Sequence, residues 1–170
     1  DKNKAESFAS GFGCQAEKDY ESLLGRRDIN AVYIATVPST HEEIILLSAK
    51  YGKHILCEKP LAISTDSAKR VVDYCQKMKV GLFEGFIYQF HRQYNMVQEI
   101  TSSGQIGVPI LFEASFGFPP MKQDNFRYRS ELGGGALLDV GSYTIHASRH
   151  FFRREPLGIQ SVKYNNDHDV

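Results

Sequence analysis

Three short apolar runs, separated by helical segments, constrain the fold more than any other feature of this chain. The runs cover residues 31–35, 54–57 and 80–84, and their apolar, β-branched character is typical of parallel strands covered on both faces. Helix-capping residues between the runs predict helices over residues 41–51 and 65–79. The β–α–β–α–β alternation therefore predicts a doubly wound parallel sheet with right-handed crossovers.

The pattern changes after about residue 90, where aromatic and polar segments replace the regular alternation. We therefore predict an α/β protein in two parts. Residues 1–88 form a partial doubly wound parallel sheet, and residues 89–170 begin an α+β domain with a largely antiparallel sheet. The elements expected in the second part are helices near residues 93–101 and 135–152, a long mixed strand at 110–118, and another strand over 159–164.

The composition argues against several classes of protein. Hydrophobic residues make up 42% and charged residues 24% of the chain, as in globular rather than disordered or fibrous proteins. The 20 Lys+Arg balance the 20 Asp+Glu, which argues against dedicated binding of nucleic acid or membranes. The widely spaced Cys14, Cys57 and Cys75 form no Cys/His cluster. We therefore expect neither a metal site nor a disulfide scaffold, and a cytoplasmic location fits.

Lys59 follows the second apolar run, within the sequence Glu58-Lys59-Pro60. Pro60 ends the strand and restricts Lys59 to extended geometry. This fixes Lys59 at the carboxyl edge of the predicted sheet, where ligands of open parallel sheets bind. A lysine held there can donate a hydrogen bond to a substrate oxygen or act as an acid or base. The alternative is a solvated loop lysine, which this spacing alone leaves open.

A second candidate site begins at the triple glycine of residues 133–135, just before a predicted helix. Asp139 and Tyr143 are four positions apart and His146 follows three later, so a carboxylate, a phenol and an imidazole share one helix face. They can form an acid/base surface, or a polar stripe that faces solvent or another subunit. The glycines can cradle an anion, although room for close packing is the more common reason for such a run.

Weaker candidates for contact with substrate lie in the loop before the triple glycine and elsewhere in the chain. Arg127 and Arg129 can contact an anionic substrate or remain a solvated pair. Tyr88 is interpreted as a core or interface aromatic residue. We keep Arg127, Tyr88 and His146 as secondary candidates for contact with substrate.

Three segments in this order resemble the glucose–fructose oxidoreductase / inositol dehydrogenase (Gfo/Idh/MocA) family. They are residues 31–38 with His41, residues 52–62 with the Glu-Lys-Pro element, and residues 134–143 with the sequence Gly-Gly-Ala-Leu-Leu-Asp-Val-Gly-Ser-Tyr. The last two elements are specific in combination, and the resemblance covers nearly the whole chain. With a tyrosine rather than a histidine four positions after the aspartate, the last element resembles the branch that contains glucose–fructose oxidoreductase, dihydrodiol and xylose dehydrogenases, and nucleotide-sugar ketoreductases.

The resemblance implies a Rossmann-type oxidoreductase that uses NAD or NADP and acts on a sugar, cyclic polyol, diol or keto-sugar. It implies that Lys59 is a catalytic lysine that contacts substrate, that Tyr143 donates or accepts a proton, and that Asp139 helps to bind the substrate. The residues implied to lie along the cofactor are Thr36, Val37, Pro38, His41, Glu58 and Lys59. It also implies a homodimer or homotetramer formed through the second domain's sheet, where Phe112, Phe116 and Phe118 alternate.

One departure from the family pattern concerns the phosphate-binding turn. The family begins with a strand and a Gly-x-Gly-x-x-Gly turn, and Gly11-Phe12-Gly13 does not match it. We therefore expect the 170 residues to be an internal piece of a parent roughly twice as long, inactive and weak in cofactor binding when isolated. The residues that would choose NAD over NADP lie outside the motifs present.

Two other functions compete with the enzyme. One is a non-catalytic regulator of the same fold that binds a dinucleotide or a sugar, and the other is a purely structural oligomerisation module. An intact Lys59 together with Asp139 and Tyr143 favours the enzyme, because a regulator has no need of a proton donor.

Overall fold

The computed structural model describes residues 2–162. Its helices and strands, in chain order, are α1 (Lys2–Phe12), α2 (Tyr20–Leu24), β1 (Ala31–Ile34), α3 (His41–Lys50), β2 (His54–Cys57), α4 (Thr65–Met78), β3 (Leu82–Glu84), α5 (Arg92–Ser102) and α6 (Ser142–Phe152). Single 3₁₀ turns lie between several of them, and a π-helical turn at Leu137–Gly141 leads into α6.

The three strands form one parallel sheet in the order β1-β2-β3. Leu56 at the centre of β2 lies opposite Tyr33 of β1 and Phe83 of β3. Because all three strands run in the same direction, the loops that follow their carboxyl ends meet at one edge of the sheet. The predicted parallel sheet with helical crossovers is therefore confirmed, and that edge is where the site is expected.

The hydrophobic core lies where α3 and α4 pack against each other and α3 covers the sheet. Ile45 of α3 and Val71 of α4 are fully buried there. Ser64 caps α4 by accepting a hydrogen bond from the backbone N–H of Ser67 at 3.2 Å, which satisfies one of the free donors of the first turn. The sequence thus fixes where α4 begins and which of its faces is buried.

The strand predicted at residues 110–118 is absent from the described structure, where that segment has no regular secondary structure. A strand exists only where a neighbouring strand supplies hydrogen bonds, and among the strands within residues 2–162 β2 pairs with β1 and with β3. Ile110 and Leu111 are instead 93% and 71% exposed. The strand expected at 159–164 is likewise not formed over 159–162, and its remainder lies outside the described residues.

Other absences concern only the part of the chain that the structure describes. There, no helix combines the length and apolarity that crossing a membrane requires, and no cluster of three or more potential metal ligands occurs. Cys14, Cys57 and Cys75 are all free thiols.

The neighbouring valines of α4 test the position of the core. Val71 is fully buried whereas Val72 is 37% exposed. Val71→Ala should lower the free energy of unfolding by about 2 kcal/mol, because it leaves a cavity between the helices and the sheet. Val72→Ala, the matched control, should change it by less than about 0.5 kcal/mol. Urea denaturation measures both values, and equal losses would contradict this packing.

Candidate active site

Lys59 points from the end of β2 into the second part of the chain. Its ammonium Nζ lies 2.8 Å from Asp139 Oδ1 and 2.5 Å from the backbone carbonyl oxygen of Asp139. The two side chains are only 11% and 12% exposed. Lys59 is therefore not a solvated loop lysine, and it joins two sequence motifs that lie 80 positions apart.

Asp139 lies in the π-helical turn that precedes α6, a type of distortion that is frequent at functional sites. Its other carboxylate oxygen, Oδ2, accepts a hydrogen bond from Arg127 Nε at 2.7 Å. One carboxylate thus bridges two cations. Pairing of this kind is what allows three charged groups to remain in a largely buried place.

Tyr143 lies beside this charge cluster, with its ring centroid 4.7 Å from Lys59 Nζ. The rings of Phe86 and Phe116 meet it edge-on, with centroids 5.5 and 5.2 Å away. Burial, followed by the negative charges of Glu58 and Asp139, raises the pKa of Tyr143 above its ordinary value. The phenol is therefore protonated at neutral pH and is able to donate a proton.

Tyr88 and His146 form a hydrogen-bonded pair beside Tyr143. The Tyr88 hydroxyl lies 2.5 Å from His146 Nδ1, and the imidazole stacks on Phe86 at 4.2 Å. Burial raises the pKa of Tyr88 to about 12. Burial, together with the nearby charges of His150 and Arg149, lowers the pKa of His146. The pair is therefore neutral at physiological pH and supports the aromatic wall behind Tyr143.

The loop after β1 carries the residues expected along the cofactor, and the structure separates them by exposure. Thr36 is exposed at the sheet's carboxyl edge, Val37 is half-buried and Pro38 is buried. His41 is fully buried behind the loop, where its ring nitrogens face two backbone carbonyls. Glu58, after β2, accepts a hydrogen bond from the Tyr33 hydroxyl. Thr36 is thus the exposed member of this set, and Glu58 is half-buried like Val37.

The triple glycine provides room for close packing, as the more common interpretation holds. A Cβ at Gly134 would lie 2.6 Å from the carbonyl oxygens of Phe126 and Arg127. Gly135 N–H donates to the Arg127 carbonyl at 2.9 Å. These contacts hold the backbone of Arg127 against the start of the helix, so that its guanidinium reaches Asp139.

Gly133 brings the second part of the chain onto the first. Its φ of +80° lies in the left-handed region that favours glycine. A Cβ there would lie 2.7 Å from Pro38 and 2.6 Å from Ile63. Sequence reasoning missed this contact, as it missed Phe86 and Phe116 around Tyr143, because nothing in a local pattern indicates which distant residues will meet.

Two family descriptions match the chain. Residues 1–86 match the GFO_IDH_MocA oxidoreductase family with its NAD-binding Rossmann fold, and residues 94–169 match the GFO/IDH/MocA C-terminal domain. The chain belongs to the Gfo/Idh/MocA oxidoreductase family. The resemblance inferred from the Glu-Lys-Pro and Gly-Gly-Ala-Leu elements is thereby confirmed.

Curated relatives of this Gfo/Idh/MocA protein include oxidoreductases named for sugar and diol substrates. The chain is 42% identical over 170 residues to dTDP-3,4-didehydro-2,6-dideoxy-alpha-D-glucose 3-reductase of Saccharopolyspora spinosa, covering 100% of this chain and 50% of the relative. It is 35% identical over 153 residues to D-xylose 1-dehydrogenase (NADP(+)) 2 of Haloferax volcanii, covering 89% and 47%. The chain thus spans about half the length of the curated relatives it matches.

A solved structure is also similar to this Gfo/Idh/MocA protein. It is a Tyr→Phe variant of a 3-ketoreductase from Actinomadura kijaniata in complex with TDP-benzene and NADP, with a TM-score of 0.83 and 36% identity over 89% of this chain and 47% of that one. Lysine variants of the same ketoreductase have been solved as well. The altered lysine and tyrosine are as far apart in its sequence as Lys59 and Tyr143 are here.

Gly134→Ala tests the close backbone approach at the site. The added methyl group cannot fit beside the carbonyls of Phe126 and Arg127, so the loop that carries Arg127 must move. We expect trypsin to cleave after Arg127 about tenfold faster in the folded variant, through more frequent local opening. Gly117→Ala is the matched control, since a Cβ at Gly117 meets no atom within 4 Å. Cleavage at the wild-type rate in Gly134→Ala would contradict the contact.

The lowered pKa of His146 predicts a pH dependence of stability. In the unfolded chain the imidazole of His146 has its ordinary, higher pKa. The free energy of unfolding is therefore at its full value above that pKa, where His146 is neutral in both states. The contribution is lost as the pH falls through the lower pKa of the folded state. Between neutral and mildly acidic pH, the Tm of the wild type should therefore fall further than that of His146→Gln. Equal decreases of the two Tm values would contradict a lowered pKa of His146 in the folded state.

Proposed function

We propose that the whole protein is an NADP(H)-dependent reductase that converts the carbonyl group of a keto-sugar, carried on a nucleoside diphosphate, into a hydroxyl group. The observation that carries this proposal is the cluster at the carboxyl edge of the sheet. There the Lys59 ammonium lies between the Asp139 carboxylate and the Tyr143 ring. Support for the substrate class comes from the relatives, of which four are dTDP-keto-sugar 3-reductases at 34% to 42% identity.

Lys59 and Tyr143 have different roles at the carbonyl oxygen of the substrate. An ammonium carries three N–H donors, and Asp139 accepts from Lys59 through its side chain and its backbone carbonyl. The remaining donor is available to hold the substrate oxygen. As negative charge develops on that oxygen, the protonated phenol of Tyr143 supplies the proton. The raised pKa of Tyr143 favours this reductive direction.

Asp139 and Arg127 keep Lys59 in place. The carboxylate holds the ammonium on one oxygen and the guanidinium on the other. Without Arg127, Asp139 would lose one of its two cationic partners in a largely buried site. Arg127 also brings positive charge to the loop over residues 119–132, which suits a substrate that carries phosphate.

The residues present fit a nicotinamide dinucleotide at the same edge. The cofactor supplies a hydride when it is bound. Thr36 is exposed beyond the end of β1. Val37 and Pro38 follow it in the same loop, and Glu58 lies in the neighbouring turn after β2. Loops at the carboxyl ends of parallel strands are where such ligands bind in open sheets. NADP is favoured over NAD by the ligand of the similar ketoreductase structure.

Further features of the whole protein remain proposals. We place the boundary between the dinucleotide-binding and substrate domains near residue 88, in line with family matches that end at 86 and resume at 94. The exposed apolar segment at residues 110–118 is proposed to pair in a largely antiparallel sheet and to contribute to a homodimer or homotetramer. The cytoplasmic location remains a prediction that free cysteines suit.

The alternative is a non-catalytic regulator that binds the same ligands. It predicts affinity for NADPH without turnover. The buried Lys59–Asp139 pair beside a protonated phenol favours the reductase, because ligand binding alone does not require a positioned proton donor.

Substitutions in the full-length protein test the assignment. Lys59→Ala should lower kcat by about 10³-fold and Tyr143→Phe by about 10²-fold, because each removes a group that acts on the substrate oxygen. Tyr94→Phe is the matched control, since the Tyr94 ring packs in the same aromatic cluster on Tyr88 and Phe151. Oxidation of NADPH by dTDP-linked keto-sugars, D-xylose oxidation with NADP and NADPH titration measure the outcome. Binding of NADPH without turnover of any sugar would favour the regulator.

A further inference from the structure

The side chain of His41 is buried too deeply for a bound ligand to contact it. It is the first residue of α3 and is fully buried. Its Nδ1 lies 2.9 Å from the Pro60 carbonyl oxygen, and its Nε2 lies 3.0 Å from the Thr36 carbonyl oxygen. The imidazole therefore bridges the loop after β1 and the turn after β2.

The two carbonyl partners of His41 determine how many of its ring nitrogens must carry a proton. A backbone carbonyl oxygen accepts hydrogen bonds and cannot donate them. A neutral imidazole has one N–H group, so its other nitrogen would point a lone pair at a carbonyl in a buried place, which is unfavourable. Both contacts are hydrogen bonds only when both ring nitrogens carry a proton.

Glu84 at the end of β3 holds the same turn as His41. Its Oε1 accepts the backbone N–H of Leu61 at 2.7 Å, so it grips the same turn one residue after Pro60. Burial raises the pKa of Glu84, while the Leu61 amide and the positive charge of His41 act in the opposite direction. The single peptide group between Pro60 and Leu61 is thus held on both sides, its carbonyl oxygen by His41 and its N–H by the Glu84 carboxylate.

We propose that His41 is a positioning residue which, as an imidazolium, ties the turn after β2 to the loop after β1 and thereby directs Lys59 toward Asp139 and Tyr143. This inference rests on the proposed function only for the importance of Lys59. His41 acts through the backbone and touches neither substrate nor cofactor.

The protein contains an internal control for a test based on lysine reactivity. Lys53 precedes β2, at the opposite end from Lys59, and is also buried. Its ammonium donates to the carbonyls of Arg26 and Ile29 at 2.7 and 2.8 Å. Local release of the turn exposes Lys59 alone, whereas general destabilisation of the domain exposes both lysines.

The experiment measures acetylation of the two lysines by acetic anhydride in the full-length protein, with peptide mass spectrometry as the readout. His41→Phe should raise the Lys59 rate relative to Lys53 by about tenfold, since it removes two hydrogen bonds to buried carbonyls. His41→Gln, whose amide retains two N–H donors, should recover part of the protection. Ser48→Ala is the matched control, because Ser48 is a buried polar residue of α3 that bonds within its own helix.

Nitrogen-15 NMR of histidine-labelled wild-type protein provides a readout that needs no variant. The resonances of His41 should show protons on both ring nitrogens. A single protonated nitrogen, or unchanged relative acetylation of Lys59 in folded His41→Phe, would overturn the proposal. So would a selective exposure of Lys59 by Ser48→Ala that equals the effect of His41→Phe. None of these measurements depends on turnover, so they stay informative even if the protein proves not to be a reductase.

Discussion

The ion pair between Lys59 and Asp139 is the interaction on which the architecture of the site depends. It fastens the end of β2 to the turn before α6, although the two residues are 80 positions apart. Burying two charges is costly, and the pair is favourable only where further hydrogen bonds satisfy both ions. Arg127 and the backbone carbonyl of Asp139 supply those bonds.

The sequence predicted the parallel sheet well because its signal is local. Each apolar run of four or five residues can be recognised by itself, and the helices between the runs have caps of their own, as Ser64 shows for α4. The common face of Asp139 and Tyr143 was also predictable from helical spacing. That Lys59 would lie against this face followed only from resemblance, because the contact depends on how two distant segments pack.

The failures have a similar origin. The apolar residues at 110–118 favour a strand, but a propensity cannot supply the neighbour with which a strand must pair. The family resemblance implied that His41 lies along the cofactor. It is buried instead, since the first turn of α3 points its ring inward to two backbone carbonyls. The direction of a side chain at a helix start depends on the loop geometry, which no pattern of residue types records.

The close contact between Gly133 and Pro38 couples the loop after β1 to the loop that carries Arg127. Pro38 follows the exposed Thr36 in the loop after β1, and Gly133 ends the loop that carries Arg127. Neither loop can shift far without displacing the other, because no space separates them. Under the proposed function, a dinucleotide that moved the first loop would change the affinity for sugar, and the sugar would change the affinity for the dinucleotide by the same factor. One glycine-to-proline contact would then link the two binding equilibria.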